Sequence, residues 1–473
     1  MKIKIIGIDD PLVLKELAVI NQGFFDEWEF VEQNADITFK FNPEENEPET
    51  LKDRKYLYLK RYMQFLEEMS GKQQPWGLLN GMRPNKLVHS MKKRGATNIE
   101  IRNELQNTYL VHAEKIALLL NVTEHQLEII PDLYQLEKEV SIYIGIPFCP
   151  TRCAYCTFAA YAHQPNKKWV APFLESLLAE IKIIGHYLKT KKIKVTSIYL
   201  GGGTPTMLEV EEIKSVMTAI YEHLATPDEI REITVEAGRP DTLTREKLEL
   251  LKDLRINRIS INPQSFNQST LDTIGRYHCV NDVTKKFKMA KEIGIKNVNM
   301  DLIVGLPNEE KEELTQSLAQ IKALQPESLT VHMLAFKKKS EISNERALYT
   351  VASKEDLVQM AQMTYAFAAV EGYLPYYLYR QKNIAGNLEN IGYAKVEHAC
   401  VYNVLMMEEA QNVLGLGVGA SSKFLIGESV HNPKDLRTYI EGYETYAWKK
   451  LKLLELSLKI DAKSFTSHSS VEN

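Results

Sequence analysis

The chain of 473 residues is 44% hydrophobic and 25% charged, which excludes a mainly disordered polypeptide and exceeds one ordinary core, so two or three domains are expected. Its formal net charge of −4 gives no global attraction to nucleic acid or to an anionic membrane surface, and neither partner is expected. No apolar run approaches the ~20 residues that span a bilayer, and the opening MKIKIIGIDD meets Asp9 and Asp10 too soon for a signal peptide, so the reducing cytoplasm is the expected compartment.

Residues 1–138 read as an N-terminal α+β domain. MKIKIIGI and ADITFKF have strand character, and from Lys52 to Ile130 the apolar spacing is helical, HAEKIALLLNV being expected to end near Asn121. Within it, PWGLLNGMRPNKLVHSMKKRG is interrupted by Gly77, Gly81 and Pro84, which places Trp76, Asn80 and Arg83 in an irregular loop. Such loops can carry function, but a packed Trp76 and a solvated helix end at Lys92, Lys93 and Arg94 account for the stretch equally well.

Residues 139–336 alternate strand and helix. The strands are SIYIGIP, TSIYLGG, EITVEA, RISINPQ, NVNMDLIVG and SLTVHML, joined by amphipathic runs such as EEIKSVMTAIYEHL, which implies a parallel sheet buried on both faces. The first strand runs into a loop bearing Cys149, Cys153 and Cys156, three of the five cysteines, spaced Cys-x3-Cys-x2-Cys. Three thiolates on a short loop suit three irons of a [4Fe–4S] cube, leaving the fourth iron open to a small molecule. A structural zinc with a fourth ligand, or three unconnected thiols, are the alternatives. Gly201, Gly202 and Gly203, followed by Thr204 and Pro205, close the second strand, where glycines let backbone approach a ligand. Glu236 ends the third strand as a carboxylate in an apolar run, costly unless hydrogen-bonded. Gln264, Arg276 and Asp301 fall at or just after the fourth and fifth strands and suit the polar anchoring of a nucleoside and an acidic substrate. The isolated Cys279 and Cys400 read as small buried hydrophobes.

Residues 337–460 form a C-terminal α+β extension, expected to cover the substrate. It contains the helix KEDLVQMAQMTYAFAAV, the aromatic LPYYLYRQKNIAGNLENIGYA, the glycine-rich VLGLGVGASSKF and amphipathic helices through Leu456. The polar tail 461–473 reads as disordered.

The order YxGIPFCPTRCAYC, GGGTPT, IxPQSFN, IGRxH and MDLIVGLP resembles the radical S-adenosylmethionine (SAM) superfamily, specifically its oxygen-independent coproporphyrinogen III oxidase (dehydrogenase) family, and PWGLLNGMRPNKL resembles the HemZ branch. The resemblance implies a partial (β/α)6 barrel, a [4Fe–4S] cluster on Cys149, Cys153 and Cys156, and one or two molecules of SAM. It implies contacts to one SAM from Tyr143, Gly203 and Glu236, and to a second from Tyr155, Thr204, Pro205, Gln264, Arg276, Asp301 and Ala335. The glycine-rich GLGVGASS is a further candidate contact. The activity implied is decarboxylation of coproporphyrinogen III to protoporphyrinogen IX by a radical SAM oxidoreductase, with a tetrapyrrole substrate and an electron donor such as flavodoxin or ferredoxin. A haem-modifying or haem-degrading enzyme, or a haem carrier without turnover, are the alternatives. Gly145 stands where the oxidases carry histidine, and Phe158 where they carry a further cysteine. GNLENIGY lacks the His-Asn-x-x-Tyr-Trp pattern of a haem-chaperone relative. Arg276 and Arg380 are candidate cations for substrate propionates, the alternative for Arg380 being a pair with Glu389.

Overall fold

Ile3 and Ile5 alternate with lysines at the N-terminus, and this period of two makes β1 (Lys2–Ile6) the first strand of the structure. The structure, a computed structural model, describes residues 1–25, 27–41, 50–79, 81–337, 339–381 and 388–459. It divides into two units, Met1–Glu124 and His125–Asn473. The expected disordered tail and Asn80 lie outside the described residues.

In the first unit α1 (Pro11–Phe24) starts where Asp10 accepts a hydrogen bond from Leu12 N and Pro11 pre-sets the first turn. Strands β2 (Glu29–Phe30) and β3 (Ile37–Lys40) flank β1, both parallel to it. Then follow α2 (Leu51–Ser70), ended by Gly71 in the left-handed region, α3 (Asn85–Lys93), α4 (Asn98–Asn107) with its Thr97/Glu100 capping box, and α5 (Ala113–Ile129). Ile3, Leu17, Phe39, Tyr62 and Leu66 form its core. Trp76 is buried, as a packing anchor would be. Helix α5 does not stop at the expected Asn121: the apolar stripe Ile116, Leu119, Leu120 and Val122 carries it on to Ile129.

The second unit opens with β4 (Val140–Ile146), then β5 (Phe148–Cys149) paired with β6 (Tyr161–Ala162), α6 (His163–Asn166) and α7 (Val170–Lys191). The βα alternation continues through β7 (Val195–Gly202), α8 (Val210–His223), β8 (Glu232–Glu236), α9 (Arg245–Asp253), β9 (Arg258–Ser260), α10 (Gln268–Thr273), α11 (Val280–Ile293), β10 (Asn297–Val304), α12 (Lys311–Leu324) and β11 (Ser328–Met333). All six expected strands are present, each parallel to the next in the order β4, β7, β8, β9, β10, β11.

Beyond residue 336 lie α13 (Glu341–Asn344), α14 (Lys354–Val370), β12 (Leu374–Tyr379), β13 (Asn390–Ala394), α15 (Val401–Glu408), β14 (Asn412–Gly417), β15 (Ser421–Lys423), β16 (Ser429–His431) and a single α16 (Leu436–Lys459) where helices in the plural were expected. Their strands extend the same sheet: β13 pairs antiparallel with β11 on one side, and β14 pairs parallel with β4 on the other. Among the described residues no helix is long and apolar enough to cross a membrane.

Pleating sends alternate side chains to opposite faces. Ile146, Leu200 and Val235 meet Ile213, Val216 and Met217 of α8, so one face of the sheet packs as apolar core. The other face is polar and carries the candidate site.

A buried charge fixes the β14 side. Glu180 of α7 and Lys450 of α16 pair with no side-chain exposure. Glu180 also accepts from Gly417 N at 2.9 Å, Tyr439 Oη at 2.8 Å and Asn432 Nδ2 at 3.2 Å. Glu180→Ala would strand the Lys450 ammonium in the core. We expect it to destabilise this unit by about 3–5 kcal/mol in chemical denaturation, with Glu180→Ala/Lys450→Met clearly milder. A single mutant as stable as the parent would refute the pairing.

Candidate functional site

Strand register decides which side chains share the polar face. Tyr143 pairs with Tyr199, Tyr199 with Thr234, Glu236 with Ser260, Ser260 with Asn299, and Asp301 with Thr330. Residues two apart point the same way, so Tyr143, Tyr199, Glu236, Ser260, Asp301 and His332 line one face. The rings of Tyr143, Tyr199 and Tyr402 stack there, with centroids 4.8 Å apart for Tyr199–Tyr402 and 6.1 Å for Tyr143–Tyr199.

Tyr199 Oη donates to Glu236 Oε1 at 2.6 Å, and Gly202 N–H supports the same carboxylate. Burial nevertheless pushes the Glu236 carboxyl up to about 7, with Asp301 adding repulsion. A Cβ on Gly201 would stand 2.9 Å from Glu236 Oε2, so only glycine leaves the carboxylate its place. Asp301 is held lower than an ordinary carboxyl: burial opposes this, but His332, 3.7 Å away, and the donors Asn299 Nδ2 at 2.7 Å and Asn262 Nδ2 at 2.8 Å outweigh it. Ser260 Oγ, Asn262 Oδ1 and Gln264 Oε1 are buried without a hydrogen-bond partner. Gln264 takes a left-handed φ of 65°, which lets its backbone exchange bonds with Asp301 O and Ile303 N. Three orphaned acceptors beside two carboxylates form a cradle for a ligand rich in N–H, O–H and positive charge.

The cysteine loop closes over the ends of these strands. Gly203 N donates to Ile146 O at 2.7 Å and Thr204 N to Phe148 O at 2.8 Å, tying the glycine strip to the loop. Thr204 Oγ1 lies 3.4 Å from Cys149 Sγ, while Ala154 N bonds to Ile274 O and Thr151 Oγ1 to Gly275 O. The thiols are free of disulfides. Burial raises Cys149 to about 11 and Cys156 upward, so they are thiols until a metal takes their protons. Among the described residues no three His, Cys, Asp or Glu side chains are grouped as a preformed ion site. Cys149, Cys153 and Cys156 lie within electrostatic reach of one another on the loop, and each thiolate of a cube binds its own iron.

Two guanidinium groups lie beside Cys153. Arg239, clamped by Asp241 at 3.1 Å, donates Nη1 to Thr151 Oγ1 at 3.1 Å and sits 3.9 Å from Cys153 Sγ. Arg276 donates Nη2 to the carbonyls of Gly238 and Asn262 and also neighbours Cys153. Cationic N–H groups next to a ligand sulfur orient it and favour the more negative state of a cluster.

The structure therefore gathers Cys149, Cys153, Cys156, Gly203 and Thr204 on the loop side, and Tyr143, Glu236 and Asp301 on the strand face. Tyr155 packs between Ile274, Ile303 and Leu334, and Pro205 and Ala335 are buried. Arg380 is buried with Glu389 as its nearby carboxylate, the structural alternative, and Glu389 also accepts from Tyr365 Oη at 2.8 Å. Cys279 corrects an expectation: it is exposed, at the N-cap of α11. Cys400 is buried and donates to Glu232 Oε1 at 3.1 Å. Gly145 has no room for a histidine, because a Cβ would meet Val418 O at 2.8 Å. The glycine-rich loop thus packs its backbone against β4 at Gly145. Sequence reasoning missed Tyr199, Arg239 and His332, which the period of two and the step past Glu236 could have flagged. Tyr402 had no local signal.

The radical SAM superfamily model matches residues 143–321. The oxygen-independent coproporphyrinogen-III oxidase-like protein HemZ of Bacillus subtilis (strain 168) is 43% identical over 96% of this chain and 98% of its own length. Heme chaperone HemW of the same organism is 37% identical over 43% of this chain and 52% of its own. The solved coproporphyrinogen III oxidase HemN from Escherichia coli shares the fold, with a TM-score of 0.54 at 23% identity, over 69% of this chain and 73% of that one.

Proposed function

The chain belongs to the radical SAM superfamily and, within it, to the HemZ-like branch of the oxygen-independent coproporphyrinogen III oxidase family, and from that premise we propose that it is a porphyrin-biosynthetic enzyme that decarboxylates coproporphyrinogen III to protoporphyrinogen IX. The cofactors of the superfamily are a [4Fe–4S] cluster and SAM, which when bound supply a 5′-deoxyadenosyl radical by one-electron cleavage of SAM. One observation supports the reading above others: the glycine strip touches both the cysteine loop and Glu236, so cluster ligands and a cation-seeking carboxylate meet at one end of one sheet face.

On this reading Cys149, Cys153 and Cys156 each take one iron, and Arg239 keeps Cys153 oriented. Tyr143, Gly203 and Glu236 hold one SAM, with Tyr199 fixing the Glu236 carboxylate. Tyr155, Thr204, Pro205, Gln264, Arg276, Asp301 and Ala335 serve a second SAM, the free Gln264 oxygen accepting from its donors. A propionate side chain loses a hydrogen atom next to the ring. Its C–C bond to the carboxylate would then break, releasing CO2, one electron would pass to an external one-electron acceptor, and a vinyl group would remain. Residues 337–460 cover the substrate, a flavodoxin- or ferredoxin-type protein supplies the reducing electron, and the cytoplasm is the compartment.

The HemW relative raises a second reading, haem carriage without turnover. Anaerobic incubation of the reconstituted protein with SAM, reductant and either coproporphyrinogen III or haem separates them. The proposal expects 5′-deoxyadenosine, CO2 and a vinyl-bearing product in step from coproporphyrinogen. Consumption of haem instead would assign a haem-modifying reaction, and no 5′-deoxyadenosine with either would leave only the carrier.

A further inference from the structure

The departure at Phe158 sits in an unusual setting. Its ring is 62% exposed, directly after the last cluster cysteine. Three cations surround this corner of the loop, drawn from distant parts of the chain. Arg152 and Lys337 both lie within electrostatic reach of Cys156, and Lys337 lies within reach of Lys434. Backbone ties hold them there. Ser340 N donates to Lys337 O at 2.8 Å, and Ile342 N, two residues on, to Ala154 O at 3.1 Å in the cysteine loop. On the other side Tyr161 Oη donates to Lys434 O at 2.9 Å. The Lys434 stem lies 3.7 Å, and Ala159 of the loop 3.0 Å, from the position a Gly419 Cβ would take.

No carboxylate of a described residue pairs with Arg152, Lys337 or Lys434. The acids next to them in sequence are engaged elsewhere: Asp435 accepts from Thr438 N at 2.8 Å and Oγ1 at 2.7 Å, and Glu341 from Tyr349 Oη at 2.7 Å. Like charges gathered without counter-charge repel, and an anion relieves that repulsion. The exposed Phe158 ring on the same loop adds a stacking surface. Next to Lys337, the Phe336 ring is already capped by Arg346 at 3.7 Å, which leaves Phe158 as the open aromatic face of this corner.

We propose that Phe158, Arg152, Lys337 and Lys434 form a subsite for a tetrapyrrole macrocycle bearing several carboxylates, a pyrrole ring resting on Phe158 and the carboxylates on the three cations. This rests on the tetrapyrrole reading above and gives that substrate a docking corner which Arg276 and Arg380, both buried and engaged, do not supply. Lys337 stands two residues past Ala335 at the strand ends, where a substrate must arrive to meet the reacting centre.

The test is a spectroscopic titration of the cluster-loaded protein with coproporphyrin III, the stable oxidised tetracarboxylate, and with its tetramethyl ester. The parent should bind the acid and bind the ester at least tenfold more weakly. Lys337→Glu/Lys434→Glu, and the gentler Lys337→Met/Lys434→Met, should raise the Kd for the acid about tenfold or more. Phe158→Ser should weaken acid and ester alike. Iron content and thermal midpoint are recorded for each variant, so that a misfolded one is set aside in favour of its gentler counterpart. Unchanged acid affinity in folded variants overturns the subsite while leaving the tetrapyrrole reading standing. Variants that only slow reduction by an acidic flavodoxin, with porphyrin affinity intact, assign the patch to the electron donor and equally overturn it. A parent protein that binds no porphyrin overturns the subsite, while the coproporphyrinogen reading is decided separately by the anaerobic assay above.

Discussion

Cys153→Ala is expected to yield a folded protein without the brown chromophore, with little iron after reconstitution and no SAM cleavage above background. Cys153 is the most enclosed of the three cysteines, and Arg239 and Arg276 lie beside it. Loss of a partner outside the ligand set typically lowers metal affinity about 10–100-fold, and loss of a ligand should exceed that. Cys149→Ala and Cys156→Ala should behave likewise. Cys279→Ala, at an exposed helix start far along the chain, should keep both iron and cleavage. Iron and sulfide per chain, the visible spectrum and 5′-deoxyadenosine yield are the measurements. Full iron content in the Cys153 variant would sink the cluster assignment.

The second large effect concerns Glu236. Its carboxyl titrates near 7 in the free protein because burial opposes ionisation, despite the hydrogen bond from Tyr199. Below that pH it is protonated and neutral; above it, it carries the charge that a sulfonium or ammonium seeks. SAM affinity should therefore climb as pH rises through about 7 and then level off, with a proton released on binding when the titration starts below the midpoint. Glu236→Gln keeps an acceptor for Tyr199 but has no charge. A lost charge-assisted contact costs about 1.5–3 kcal/mol, so above pH 7 the variant should bind SAM roughly ten- to a hundred-fold more weakly, and its affinity should be flat across the same range. Calorimetry on both sides of neutrality reads this directly. Equal affinity and equal pH dependence in parent and variant would return Glu236 to a structural role.

What the sequence made legible was local. Ile142, Ile144 and Ile146 alternate within seven residues, and that suffices for a buried strand; cysteine spacing suffices for a loop that presents thiols. Glu236 and Asp301 were legible because a carboxylate at the end of an apolar run demands a partner. What escaped was set by distant packing. Nothing near Tyr402 says that it will stack on Tyr199, since that contact requires α15 and β7 to be brought together. The joining of β14 to β4 is likewise non-local, and it turned an expected separate extension into more of the same sheet. Asn121 looked like a helix end because its propensity is poor, yet its neighbours' apolar stripe overrode it. Cys279 looked buried on base composition alone and is exposed because the chain turns there to start a helix.

The parallel pairing of β14 with β4 also governs the order in which the molecule can be finished. As the ribosome delivers the chain from its N-terminus, β4, β7 and the strands that follow can assemble in sequence, but the outer edge of β4 has no partner until Asn412–Gly417 emerges. For most of synthesis the strand that leads into the cysteine loop is therefore a bare edge, the kind of surface that invites wrong pairing between nascent chains. Its final neighbour is then locked by the last helix, through Lys450 reaching Glu180. Iron delivery before release of the C-terminus would meet a loop whose supporting strand is held on one side alone. We therefore expect cluster insertion to follow chain completion, so that a nascent protein stalled before residue 412 stays colourless and leans on chaperones.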